Sequence, residues 1–323
     1  MPPSDVSPAA PASTRGQRLG VWLLRGLRAS VRAPAWLDAP KALAIAAGLL
    51  LLELRPLRPV GGEVRSDEGF VLAGSPRESM LNRVLAYRGV FEPGLTAFIR
   101  QHVRPGEVCA DVGANVGYFS LLLAQQVGPQ GCVVAVEAAP GNVRKLQRNL
   151  AANGWAERVR VAHAACTDFS GHCTFHVHTR NDMHCRLTPP GRGELDGWLM
   201  GRRHWRAVEV PARTLAELLG PQAPALTFLK LDIEGAEHLV TPQVLACCTH
   251  DRLCVALEVK APHVRDALAP FEAAGFHLYD LHNDYRWLLN TRPARPPSPL
   301  SYAEAYARRY MLDVLVSRNP LVG

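Results

Sequence analysis

From Glu107 onward the chain repeats one pattern: a short apolar run, a glycine-marked turn, then a stretch whose apolar residues recur with a helical period. The runs "EVCADV", "GCVVAVEA" and "RVRVAHAAC" predict three strands. Between them "GYFSLLLAQQV" and "PGNVRKLQRNLAANG" predict helices, the second starting near Pro140 and stopping at Gly154. Later runs, "LTFLKLDI" (226–233), "LCVALEV" (253–259), "FHLYDL" (276–281) and "MLDVLVS" (311–317), predict further strands. Strands alternating with helices in units of about 30 residues imply an α/β fold, a doubly wound, mostly parallel sheet with helices on both faces.

Upstream the pattern is different. Residues 1–16 are rich in Pro, Ala and Ser and predict disorder. A helical, Arg-bearing stretch then runs to about residue 58, and "GGEVRSDEGFVLAG" (61–74) carries hairpin signals. The expected organisation is a leader and basic helical extension over 1–60, a lead-in over 61–106, and a Rossmann-like domain over 107–318. An insertion at 179–206, rich in Arg, Gly, Pro and Trp, interrupts that domain and reads as a binding lid.

Charge changes the picture only when divided along the chain. The net +7 splits into +5 for residues 1–60, −2 for 61–285 and +4 for 286–323. The core therefore lacks the basic face that phosphate neutralisation needs, and no nucleic-acid partner is expected for it. In "QRLGVWLLRGLRASVR" (17–32), Arg18, Arg25, Arg28 and Arg32 stand at helical spacing around Trp22, Leu23 and Leu27, with no acid from 6 to 37. That stretch reads as a membrane-surface helix or transit peptide, or as the solvated face of a helix packed on the domain. The apolar run "ALAIAAGLLLL" (42–52) has 11 residues, short of the roughly 20 that span a bilayer, and reads as a buried helix. The eight cysteines form no C-x-x-C pair and mostly sit in apolar runs, which suits reduced thiols in a cytoplasmic protein.

The candidate chemistry starts at "ADVGANVGYFS" (110–120). In an open parallel sheet ligands bind beyond the carboxyl ends of the strands, and the turn after the first strand must let them in. Here it is Gly113-Ala114-Asn115-Val116-Gly117, whose spacing is not G-x-G-x-x-G, and no P-loop lysine follows. Asp111 ends the first predicted strand. Glu137 ends the second, where a carboxylate can accept from both hydroxyls of a ribose. Asp168 follows the third, where it can accept from an adenine amino group.

With "VVAVEAAPGNVRKLQRNL", "TDFSG" followed by "CTFHV", and above all "FLKLDIEGAEHLV", this turn resembles the motifs of the FkbM family of S-adenosylmethionine-dependent methyltransferases, from about Glu107 to Leu281. The resemblance implies a Rossmann-like class I methyltransferase fold with S-adenosylmethionine as cofactor. It implies that Asp111, Gly113, Asn115 and Gly117 shape the methionine end of a pocket, with Glu137 on the ribose and Asp168 near the adenine. A carboxylate-lined site without a phosphate cradle suits a donor that carries a sulfonium and an amino group.

A methyl on sulfonium is already activated, so the enzyme has chiefly to hold a nucleophile in line, and a base that deprotonates an alcohol adds about 10²- to 10⁴-fold. "KLDIEGAE" offers Asp232 and Glu234 as base or substrate anchor, and Lys230, Glu237 and, further on, Glu258 as substrate contacts. Acids in the first turn of a helix also serve capping and the dipole, and Lys230 can merely pair with a neighbouring acid. His172, His176, His178 and His184, with Cys173 and Cys185, lack zinc-motif spacing, so no metal is assigned. The expected reaction is O-methylation of a small-molecule or glycan hydroxyl. The alternatives are N-methylation of another acceptor, a dinucleotide-dependent oxidoreductase on a similar sheet, and a membrane-docked binding module. Seven arginines between 180 and 213 point the insertion toward an anionic or sugar-bearing acceptor.

Overall fold

The computed structural model describes residues 62–179, 181–183, 185–188, 204–283, 294–308 and 311–321, together with Leu19, Trp22, Leu23 and Gly26. Residues 1–16, the run at 42–52, most of the 17–32 stretch and most of the 179–206 insertion lie outside them. Of the basic stretch, Leu19 and Trp22 are exposed and Leu23 packs on the core. Among the described residues no helix is long and apolar enough to cross a membrane.

A hairpin, β1 (Glu63–Arg65) and β2 (Val71–Ala73), opens the described region, followed by α1 (Met80–Arg88) and α2 (Pro93–His102). The main sheet then builds from β3 (Val108–Val112), β4 (Cys132–Glu137), β5 (Val159–His163), β10 (Leu226–Leu231), β11 (Cys254–Val259), β12 (His277–Asp280), β13 (Ser298–Pro299) and β14 (Leu312–Ser317). Its order is β13-β12-β14-β11-β10-β3-β4-β5. The block β11-β10-β3-β4-β5 is parallel, and β14 runs antiparallel between β11 and β12. This is the doubly wound, mostly parallel arrangement that the strand pattern predicts. The central strands are apolar throughout because both faces are covered. Cys109 and Phe228 join one core layer with Leu121 and Leu122 of α3 (Tyr118–Val127). Val112, Leu229 and Leu231 join the other with Val240 of α6 (Glu237–Cys247) and Phe271 of α7 (Val264–Ala273).

The third predicted strand divides. After β5 the chain leaves the main sheet, and β6 (Ala165–Cys166) pairs instead with β9 (Trp205–Arg213). With β7 (Gly171–His178) and β8 (Cys185–Arg186) they form a second sheet of order β6-β9-β7-β8, which the sequence pattern does not anticipate. The β7–β9 pairing starts at His178↔Trp205, so the insertion is partly a continuation of two long antiparallel strands.

Helix α4 (Pro140–Ala152) fastens the hairpin to the sheet. Asn153 Oδ1 accepts from Val71 N at 2.9 Å and Asn149 Oδ1 from Ala73 N at 2.8 Å. Asn149 Nδ2 donates to Val116 O at 2.7 Å, just inside the glycine turn. The open edge of β2 is thereby satisfied by side-chain amides of one helix face.

Candidate active site

The strand order reverses on either side of β3: the chain winds through β4 and β5 one way and β10 and β11 the other. Segments leaving adjacent carboxyl ends there diverge to opposite faces and leave a crevice. Gly113 sits in it with φ +84°, and a Cβ on it would lie 1.7 Å from the carbonyl oxygen of Asp232. The glycine is thus demanded by the neighbouring strand exit, where Asp232 N donates to Val112 O at 3.0 Å, before any ligand is considered. Gly117, φ +98°, starts α3, and a Cβ there would lie 2.4 Å from Leu146 Cδ1. Asn115 between them adopts φ 52°.

Beyond the crevice lies a cavity of about 580 Å³. One side is formed by Gly113, Ala114, Asn115, Glu137 and Ala138 with Ala164, Ala165 and Cys166, and Phe175 and Leu187 of the second sheet and its loop extend this part. Glu137 is buried; its Oε2 accepts from Asn115 N and its Oε1 from Ala139 N, both at 2.7 Å. Burial pushes its pKa up to about 7 even though both backbone N–H groups favour the ionised form. Each oxygen keeps a second lone pair for a further donor.

The other side of the cavity holds Glu92, Lys230, Asp232, Glu234, Glu258 and Lys260. Lys230 is buried on the β10 face shared with Phe228. Its ammonium lies 3.0 Å from Asp232 Oδ2, 3.9 Å from Asp111 Oδ1 and 5.5 Å from the centroid of the Phe119 ring. Burial alone would lower its pKa, but Asp232, Asp111 and Glu92 outweigh this and hold it above the ordinary lysine value. Glu234, in left-handed backbone, pairs with Lys260, whose Nζ is also 3.3 Å from Glu258 Oε1. Burial raises the Glu234 carboxyl to about 7 against the pull of Lys260.

Four of the sequence candidates stand apart from the cavity wall. Asp111 is buried beneath it, accepting from Ser120 Oγ at 2.6 Å, with Oδ1 lacking any hydrogen bond among the described residues. Gly117 lies at the helix start. Glu237 turns back on its own helix, its Oε1 accepting from Ile233 N at 2.9 Å and Gly235 N at 3.1 Å, so it caps that helix start and stands off the wall. Asp168 is exposed in the bend after β6, and the wall at that strand end is formed by Ala164, Ala165 and Cys166 instead. Asp168, expected near an adenine, therefore stands off the wall, because the chain turns into the second sheet before reaching it.

Two residues on the wall were not foreseen. Lys260 follows β11 directly. Glu92 precedes Pro93 at the start of α2, in left-handed backbone at φ 40°, and is 8 % exposed. No hydrogen bond reaches its carboxylate among the described residues. Burial pushes its pKa up to about 8 against Lys230, with Asp232, Glu258 and Asp111 adding to the rise. Its only sequence signal, an acid ahead of a helix-starting Pro-Gly, is shared by ordinary caps. Among the described residues no group of three or more His, Cys, Asp or Glu is arranged to hold a metal ion.

A switch-point cavity with a buried acid at the end of β4 and carboxylates at the ends of β10 and β11 is the ligand site of an open α/β sheet. Residues 111–277, just over half of the chain, match the methyltransferase FkbM domain, and the chain belongs to this family of S-adenosylmethionine-dependent methyltransferases. Among curated proteins it is 41% identical over 49 residues to an arsenite methyltransferase of Halobacterium salinarum, covering 15% of this chain and 12% of that one. It is 28% identical over 131 residues to a tRNA1(Val) (adenine(37)-N6)-methyltransferase of Shewanella frigidimarina, covering 38% and 50%. The chain thus spans no more than half the length of these relatives. Similar solved structures include an S-adenosylmethionine-dependent O-methyltransferase of Thermotoga maritima, with 15% identity, 82% and 80% coverage and a TM-score of 0.39. Another is fibrillarin of Aeropyrum pernix with natively bound S-adenosyl-L-methionine, with 11% identity, 79% and 82% coverage and a TM-score of 0.41.

Proposed function

We propose that the protein methylates a hydroxyl of a small-molecule or glycan acceptor, with Glu92 as the group that takes the hydroxyl proton. The observation that carries this reading is the Glu92 carboxylate itself: nine-tenths buried, on the cavity wall and, among the described residues, without the lysine pairing that holds Asp232, Glu234 and Glu258. Asp232 and Glu234, the candidates from sequence, are each held by an ammonium, which suits positioning better than proton uptake.

The residues present fit the cofactor. Glu137 offers its remaining lone pairs to ribose hydroxyls, and the apolar wall of Ala138, Ala164, Ala165, Phe175 and Leu187 offers a flat, dry surface to the base. Bound there, S-adenosylmethionine supplies a methyl already activated on a sulfonium. Lys230 orients Asp232 through its ammonium, and Lys260 does the same for Glu234 and Glu258. Glu92 would take the acceptor's hydroxyl proton as the methyl passed from the sulfonium, which would leave as the neutral thioether, to that hydroxyl oxygen.

The test is transfer of labelled methyl from S-adenosylmethionine to a panel of polyols, glycans and their amino analogues. Oxygen-linked label is expected. Label found only on nitrogen, at a rate indifferent to Glu92→Gln, would favour the N-methyltransferase alternative. Calorimetry with S-adenosylhomocysteine tests the pocket separately: Glu137→Ala should weaken binding about 30- to 100-fold, because it strands two backbone donors as well as removing the sugar contact.

A further inference from the structure

Four segments meet at one residue on the cavity rim, and that residue, Asp182, belongs to none of the motifs discussed so far. Its carbonyl oxygen accepts from Asn115 Nδ2 at 2.8 Å, in the glycine turn, and from Asn142 Nδ2 at 3.0 Å, on α4. Its carboxylate accepts from Met80 N at 3.0 Å, at the start of α1, and from Lys145 Nζ at 2.8 Å, again on α4. Lys145 also donates to Glu78 O at 2.6 Å, doubling the tie to the segment before α1. The Asp182 side chain is only 8% exposed. Met80, Asn115, Asn142 and Asp182 all line the cavity, so these bonds run around its edge rather than through the core.

The local shape of the segment after β7 does not depend on the Asp182 side chain. Asn181 sets that shape, its N–H donating to His178 Nδ1 at 2.9 Å and its Oδ1 accepting from Met183 N at 3.1 Å. What Asp182 adds is the long reach, from the second sheet to the glycine turn, α4 and α1. An anionic side chain is well suited to it, because the first N–H of α1 and the Lys145 ammonium converge on the same carboxylate. Asn115, expected from sequence to serve the cofactor, spends its side-chain amide on this contact.

We propose that Asp182 is a positioning residue that latches residues 181–183 along the edge of the cofactor cavity and sets how fast the cofactor leaves. The inference rests on the reading of the cavity as the S-adenosylmethionine site. Widening the cavity on this side requires the contacts of Asp182 to part, so the latch slows exit more than it changes the stability of the domain. The Lys145 pair is the outermost of these contacts, since the Lys145 side chain is 27% exposed, and it is the natural first one to open.

The experiment is stopped-flow dissociation of S-adenosylhomocysteine from the full chain, with hydrogen exchange of the ligand-free protein alongside. Asp182→Ala should release the ligand about 10- to 100-fold faster, and exchange in 181–183 should rise while that in β3 and β4 stays unchanged. Asp182→Asn, which keeps an acceptor for Met80 N and loses the ion pair, should recover part of the slow release. Lys145→Ala, on a half-exposed helix face where folding is not at risk, should give about a 3- to 10-fold increase. Release at the wild-type rate from Asp182→Ala, or from Lys145→Ala should the first variant not fold, overturns the latch. Absence of S-adenosylhomocysteine binding to the wild type overturns the cavity assignment instead, and the two failures are distinct.

Discussion

The two ends of the cavity are built from different materials. At the end of β4 the one buried acid, Glu137, is held by backbone N–H groups, and the turn before it is shaped by carbonyl contacts to the neighbouring strand. At the ends of β10 and β11 the acids are held by side chains, through the Lys230 and Lys260 ammonium groups, while among the described residues no hydrogen bond reaches the Glu92 carboxylate beside them. A backbone-built site tolerates almost no change but is rigid and suited to one ligand. A side-chain-built site can be re-paired without disturbing the fold, which is what an acceptor region has to allow.

The sharpest way to break this comparison is at Gly113. Gly113→Ala forces a Cβ onto the Asp232 carbonyl in a left-handed backbone, so a loss of about 4 kcal/mol or more is expected in urea denaturation. A loss below about 1 kcal/mol would mean the turn is as adaptable as the acceptor end.

At that other end Glu92→Gln should leave the affinity for S-adenosylhomocysteine within a few-fold of wild type. It should lower kcat on the acceptor identified from the panel by about 10²- to 10⁴-fold. The base works ionised, so wild-type kcat/KM should rise with pH through about 8, and the variant should lose that limb. A rising limb that survives in Glu92→Gln would transfer the role to Asp232 or Glu234.

The smallest effect is on stability against pH. Glu92, Glu137, Glu234 and Glu237 all have pKa values raised by burial, Glu92 to about 8 and the other three to about 7. Each therefore binds its proton more tightly in the fold than in the unfolded chain. Between the ordinary value of 4.5 and about 8 the native state holds more protons, and stability falls as pH rises through that window. Thermal melts should show Tm decreasing from pH 5 to 8. Glu92→Gln should flatten the decline, gaining at least about 1 kcal/mol over wild type at pH 8 relative to pH 5. Parallel curves would show that the Glu92 carboxyl is solvated after all.

Much of the backbone-built end was legible in advance. Gly113, Asn115 and Glu137 announce themselves because a left-handed turn and a strand-end acid are local features with few substitutes. The main-sheet strands were legible for the same reason, since strands covered on both faces read as unbroken apolar runs. Asp168 and Glu237 were chosen by the same logic and stand off the wall, one because the chain turns into the second sheet, the other because its own helix start claims it. The second sheet escaped notice because β7 and β9 alternate polar and apolar residues across a long insertion, and nothing local says they pair.

What the order of residues determined by itself was the set of apolar runs, the glycine turn and hence a parallel sheet with a crevice at its switch point. What only the folded chain decided was which charges meet. Lys230 stands opposite Asp111 in the β10–β3 register, and a slip of one residue would send its ammonium to the other face. Glu92 and Asp182 reach the cavity from elements far away in the chain. Periodicity records which face of an element is buried, a local and additive property, whereas the encounter of two side chains depends on register, crossing and loop path, which exist only once the core has closed.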